Sequence, residues 1–350
     1  MLRNKLFKIM ALIVGISLGF ALFTTCKEDT PAPEPTPTPS IAGVYVVGGY
    51  YDGINFKACY WKDGTRIDLS GGTDSMTEGI TLSGSSIYIA GEYLDGSITK
   101  ACYWKDGAKI DLSESSDPLV TGIAVSGNSV YVTGCYNYSS NPKACYWKDG
   151  TRIDLPGGIR SYAEGIAVSG GSVYIAGYYH DGSNVKACYW KDGTRIDLPG
   201  GTSSWSEEIV VVGSSVYVTG EYQDGGAAKA CYWKDGTQID LPGGIWSGAQ
   251  GITVSGGSIY IAGEYSNDFS TYWACYWKDG TRTDLQVPVG VRSEVNGIAV
   301  SGSSVYIAGY YCYDGSNEKA CYWKDGTRID LPVPAGVYYS ETAGIAVVAN

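Results

Sequence analysis

An all-β, seven-bladed β-propeller of four-stranded blades is the fold class that this sequence predicts, and three observations predict it. The heptapeptide Ala-Cys-Tyr-Trp-Lys-Asp-Gly occurs seven times, with its cysteines at Cys59, Cys102, Cys145, Cys188, Cys231, Cys275 and Cys321. Successive copies stand 43, 43, 43, 43, 44 and 46 residues apart, which is the period of a propeller blade. Each period carries four short runs rich in β-branched and aromatic residues, punctuated by glycine turns, the pattern of a small antiparallel sheet.

The chain opens with a segment that reads as an export signal. Arg3, Lys5 and Lys8 precede an apolar run from Ile9 to Phe23, short for a membrane span and suited to the apolar part of a signal. It ends at Phe23-Thr24-Thr25-Cys26, which resembles the lipobox of bacterial lipoproteins, with Leu22 one place early for the usual leucine. The resemblance implies a signal peptide over 1–25 and a lipidated Cys26 that anchors the protein in a membrane. Lys27-Glu28-Asp29 looks like the acidic tag that sends some lipoproteins to the outer face of the outer membrane. Pro31, Pro33, Pro35, Pro37 and Pro39 then make 26–42 a semi-extended spacer, rising about 3 Å per residue.

The propeller is expected over 43–350. A typical unit runs Gly165-Ile-Ala-Val-Ser-Gly, Ser172-Val-Tyr-Ile-Ala-Gly-Tyr-Tyr, Lys186-Ala-Cys-Tyr-Trp-Lys-Asp-Gly and Thr194-Arg-Ile-Asp-Leu, giving strands a to d. Asp-Gly between apolar runs is a strong hairpin signal, so Lys-Asp-Gly reads as a turn before it reads as a site. The small residues of strand a suit the crowded axis of a ring. The repeated Trp61, Trp104, Trp147, Trp190, Trp233, Trp277 and Trp323 are expected between neighbouring blades. Gly43-Val-Tyr-Val-Val is a strand b with no strand a before it, and Gly344-Ile-Ala-Val-Val is a strand a with nothing after it. Joined, they complete one blade and remove the open edges of the ring.

Charge and cysteine usage bound the partners. Without the three basic residues of the signal, 22 basic residues face 36 acidic ones, a net of −14. That argues against nucleic acid and anionic membrane surfaces as partners. Seven cysteines at equivalent places in seven blades radiate rather than converge, so they predict neither disulfides nor a metal site. Cys135 and Cys312, at the ends of two strands b, are expected to be free as well, a thiol usage that points to a reducing habitat.

Comparison of the seven copies with one another locates a candidate ligand site. The a–b and c–d turns hardly vary, whereas the d–a and b–c connections do, and in a propeller these lie on one face. Trp205, Trp246 and Trp273 fall there, with Tyr162, Tyr272, Tyr338 and Tyr339. Just before the glycine of strand a stand Glu78, Thr121, Glu164, Glu207, Gln250, Asn296 and Ala343, a polar ring expected near the channel mouth. It could hold a cation, hydrogen-bond sugar hydroxyls, or simply face solvent. Strand b ends in Tyr50, Tyr93, Tyr136, Tyr179, Tyr222, Tyr265 and Tyr311. Glu92, Glu221 and Glu264 sit beside these tyrosines, and Lys100 and Lys229 are expected to pair with the first two.

No catalytic constellation stands out. His180 is the single histidine, which argues against serine or cysteine triads built on histidine. No metal-ligand spacing, phosphate loop or cofactor motif is present, and a glycan-active hydrolase or lyase would rely on carboxylates alone. Ala-Cys-Tyr-Trp-Lys-Asp-Gly-Thr-Arg-Ile-Asp-Leu at 187–198 resembles the HAF-type extracellular repeat, Ala-Phe-x-Trp-x-x-Gly-x-x-x-Asp-Leu, with Cys where that family has Phe. Ser-Val-Tyr-Val-Thr-Gly at 215–220 resembles the strand signature of bacterial seven-bladed propeller repeats. These resemblances imply an exported propeller and carry no catalytic residue across. The expectation is a monomeric envelope lipoprotein, at the cell surface or facing the periplasm, that binds a glycan or an envelope protein. Its ligand residues would be Tyr162, Trp205, Trp246, Tyr272, Trp273, Tyr339, Glu78, Glu164 and Glu207. The alternatives are the carboxylate enzyme and a purely structural or antigenic surface protein.

Overall fold

The computed structural model describes residues 42–113, 116–288, 290–313 and 317–349. The expected signal peptide and lipidated Cys26, with the expected linker up to residue 41, lie outside the described residues. The rest is all-β: seven four-stranded antiparallel sheets, numbered here blade 1 to blade 7 in chain order. Their innermost strands, a, are Tyr339–Val348, Ser75–Ser83, Leu119–Ser126, Ser161–Ser169, Ser204–Val212, Trp246–Ser255 and Arg292–Ser301. Their second strands, b, are Gly43–Tyr51, Ser86–Asp95, Ser129–Tyr136, Ser172–His180, Ser215–Asp224, Ser258–Ser266 and Ser304–Cys312.

Closure follows the phase of the two ends. Tyr339–Val348 pairs antiparallel with Gly43–Tyr51 from Gly43↔Val348 to Tyr51↔Tyr339, so blade 1 takes its inner strand from the C-terminus. Each inner strand touches the inner strands of the blades on either side, and that of blade 1 touches those of blades 7 and 2. The ring is therefore continuous.

The core lies between blades rather than within one. Seven hydrophobic clusters form, and each draws on two adjacent blades. At each interface a repeat tryptophan is wholly buried and donates its indole N–H to a carbonyl in the connection leaving the preceding blade. Trp190 reaches Pro156 O at 2.7 Å and Trp61 reaches Pro332 O at 2.8 Å. A sheet that is apolar on both faces gains its burial only when stacked in this way.

The turn residues and tyrosines are structural as well. Each Lys-Asp-Gly aspartate sits at φ between 48° and 51°, and its carboxylate accepts from the second residue of strand b, as in Val173 N to Asp192 Oδ1 at 2.9 Å. Each tyrosine ending strand b donates to the strand d aspartate, for example Tyr179 to Asp197 at 3.1 Å. In six blades an arginine or lysine lies over that ring. The nine described cysteines are buried and form no disulfide with one another.

Candidate functional site at the mouth of the ring

Strand a starts where strand b ends, since Ser161 pairs with Tyr179 and Ser204 with Tyr222. The varying d–a and b–c connections therefore meet the inner end of every blade on one face. Strand a begins about a turn's length earlier than its glycine suggested. In blade 4 it starts at Ser161 rather than Gly165. Consequently Tyr162, Trp205, Trp246 and Tyr339 lie within inner strands and Trp273 opens a strand c, rather than in loops. They are half-buried, as is Tyr272 just before that strand c.

The polar ring falls at a β-bulge. In blade 2 the register passes from Thr77↔Gly91 to Gly79↔Ala90, leaving Glu78 unmatched, and in blade 4 it jumps from Ala163 to Ile166 around Glu164. All seven blades carry this irregularity. A bulge frees one residue from the ladder and re-aims its side chain. The residue after it is glycine in six blades because adjacent inner strands touch there: a Cβ on Gly251 would stand 3.1 Å from Gly297 Cα. Blade 5 breaks the rule with Glu208, which leans over Gly165 and accepts from Ile209 N at 2.9 Å. Burial pushes the Glu208 carboxyl up to about 7, with the charge of Glu164 adding to it. Several ring members bond within the wall. The Thr121 hydroxyl donates to Ala163 O at 2.9 Å, and that of Thr342 to Asn296 Oδ1 at 3.0 Å. Among the described residues no three acidic, histidine or cysteine groups are placed to hold a metal ion.

The expected lysine pairing is not what the register allows. Glu92 and Glu221 stand opposite Ala101 and Ala230. Lys100 instead pairs with Asp95 at 2.8 Å, and Lys229 reaches Gly244 O at 3.4 Å. Three groups of side chains result. Tyr162 stacks on Tyr178 at 4.9 Å and meets the edge of Tyr138 at 6.4 Å. Burial first, then Glu164 and Glu207, hold the Tyr178 phenol protonated. Trp246 meets Tyr272 edge-on at 5.0 Å, close to Glu221, Gln250 and Glu264. Tyr339 donates to Glu341 Oε2 at 3.0 Å and meets Phe56 edge-on at 5.6 Å. Burial and then the charge of Glu341 raise the neighbouring Glu318 to about 7.

Burial dominates at the second group. It lifts Glu221 to about 7 and, with the charges of Glu294 and Glu221, Glu264 to about 8. Glu294 is held by Arg292 Nη2 and by the Tyr310 hydroxyl, the latter at 2.5 Å. Glu78 sits two blades from Glu164, apart from the other expected carboxylates, and Trp273 packs on Tyr265 at 5.5 Å at the margin of the core. Glu208, Glu294, Glu318, Glu341, Tyr178 and Tyr310 were missed from sequence. For Tyr178 and Tyr310 the signal was there: Gly49, Glu92, Cys135, Tyr178, Glu221, Glu264 and Tyr310 form a varying column inside an otherwise repeating strand b.

No family model matches the chain, and no curated protein matches it significantly. Among solved structures it is similar to the β-propeller domain of the Trilobed protease from Pyrococcus furiosus, with a TM-score of 0.55 and 11% identity, covering 83% of this chain and 92% of that one. It is also similar to the acylaminoacyl peptidase of Pyrococcus horikoshii, with a TM-score of 0.50 and 12% identity over 83% of this chain and 50% of that one. The chain thus spans about half the length of that peptidase. At these identities the likeness is one of fold. The Pyrococcus furiosus domain is described as having an open velcro topology, whereas here the terminal strands pair and close the ring.

Proposed function

We propose that this chain is an exported cell-envelope lipoprotein of the HAF-type repeat kind, anchored through Cys26. Its monomeric propeller binds a glycan or an envelope protein through the d–a and b–c face. The observation that carries this reading is the company of the aromatic residues there. Tyr162, Trp205, Trp246 and Tyr272 are half-buried at the inner ends of the blades, and Glu221 stands directly opposite Trp205 and near Trp246. Stacking surface next to hydrogen-bonding groups is the make-up of a recognition site. A glycan array and a pull-down with wild type and W205A/W246A/W273A test it. Loss of a hit in the triple variant supports this face, and undiminished binding moves the site elsewhere. Trp273→Ala alone is expected to lower stability more than binding, because that ring packs at the core margin.

A second reading is favoured by one observation. Glu264 and Glu221 stand close together, and burial raises both carboxyls well above their ordinary value. Two neighbouring carboxyls raised by burial are the kind of pair that carboxylate-only glycan cleavage uses. Release of reducing ends from a bound glycan, lost in Glu264→Gln, is its test.

A further inference from the structure

One inner-strand position differs from its six counterparts. The residue after the bonding serine, or its equivalent in blade 3, is Met76, Leu119, Tyr162, Trp205, Glu294 or Glu341 in the other blades, and Gly248 in blade 6. Where a Cβ on Gly248 would stand, Glu221 Oε2 from blade 5 lies 2.8 Å away, Trp246 Cη2 3.1 Å and Gln250 Nε2 3.6 Å. Glu264 is the direct cross-strand neighbour of Gly248. Its Oε1 accepts from Gln250 Nε2 at 3.1 Å. Its Oε2 is buried and has no hydrogen-bond partner, in a residue only 7% exposed. The next carboxylate, Glu294, is already engaged by Arg292 and Tyr310.

A buried carboxyl oxygen without a donor is costly, and a ligand that brings one removes the cost. We infer that this notch over Gly248 binds the protonated primary amine of an amino sugar. The inference rests on the ligand-binding reading above and names its chemistry. An ammonium has three N–H donors in one compact charge, which suits Glu221 and the open oxygen of Glu264 on two sides. Trp246, braced edge-on by Tyr272, gives a wall for the C–H face of a pyranose ring and a π-face for the charge. A lysine side chain offers the same ammonium but no ring for that wall.

Isothermal titration of the full chain with a glucosamine tetrasaccharide and its fully N-acetylated counterpart, at matched ionic strength, reads the amine directly. The free-amine form is expected to bind about tenfold tighter or better, the scale of a charge-assisted hydrogen bond. Glu264→Gln keeps the shape, cannot ionise against the bound ammonium and should erase that preference without lowering the melting temperature. Gly248→Leu fills the notch and should abolish binding of the free-amine form. Asp224→Asn, an exposed carboxylate at the end of strand b in blade 5, controls for net charge and should keep the preference. Equal affinity for the two sugars overturns the inference, as does a preference that survives Glu264→Gln or a tetralysine peptide that binds more tightly. If neither sugar binds while the triple tryptophan variant still loses a hit on the array, the amine inference fails and the ligand-binding reading stands. Absence of any glycan or protein ligand fails both.

Discussion

At the scale of single residues, the same side chain has opposite roles in different places. Trp190 is wholly buried between blades 3 and 4 and bonded to Pro156 O, so Trp190→Ala should cost about 3 to 5 kcal/mol in chemical denaturation, the range for a large aromatic removed from a core. Trp246 is half-buried at the ring mouth, so Trp246→Ala should cost far less stability and show instead in binding. Cysteine behaves uniformly. Burial pushes the thiols of all seven repeat cysteines well above their ordinary value of 9.0, which leaves almost no thiolate to react. A thiol reagent at pH 8 followed by peptide mapping should find these seven unlabelled until the chain unfolds. Rapid labelling of any of them in the native protein would contradict the packing described.

At the scale of strands, inner strands are tied to the preceding blade by a serine. Six of the seven blades have it, and Ser204 Oγ accepts from Ala187 N at 3.0 Å with both groups buried. Ser204→Ala leaves that N–H unpaired and should cost about 1 to 3 kcal/mol. The serine was legible as six copies standing four residues before the glycine or Glu208, yet strand a was read from the glycine onward. The reason is physical. The glycine marks where neighbouring inner strands touch, just past a bulge, and a bulge interrupts the alternation that signals a strand. The turns, the tryptophans and the closing strand were legible because each depends on one local or repeating residue pattern. The carboxylate cluster was not, because Glu221, Gly248 and Glu264 meet only when blades 5 and 6 are stacked. Closure predicts its own test: deleting 344–350 removes the half of the closing strand that pairs with Gly43 to Val47 and should lower the melting temperature of the whole ring. An unchanged midpoint would sink it.

At the scale of the whole molecule, the buried carboxyls link stability to pH. Burial raises Glu208, Glu221 and Glu318 to about 7 and Glu264 to about 8, from an ordinary 4.5. Below 4.5 both folded and unfolded chains hold these protons, and the groups contribute no pH dependence. Between 4.5 and about 7 to 8 the unfolded chain has released them and the folded chain has not, so the unfolded state binds fewer protons and stability falls as pH rises. Above about 8 both states are ionised and the loss is complete. The exposed acids bonded to backbone N–H groups act in the opposite direction and earlier. Asp268, held at about 2 by Thr271 N and Ser270 N, gives stability that is lost only as pH falls below its ordinary 3.8 toward 2. The melting temperature should therefore peak near pH 5 and decline toward pH 8. Glu264→Gln, which cannot ionise, should flatten that decline and make the variant more stable than wild type at pH 8, while the two converge near pH 4. A wild type that is instead most stable at pH 8 would show that the carboxyls at the ring mouth are solvated, and the unpartnered oxygen of Glu264 would lose its claim on a ligand.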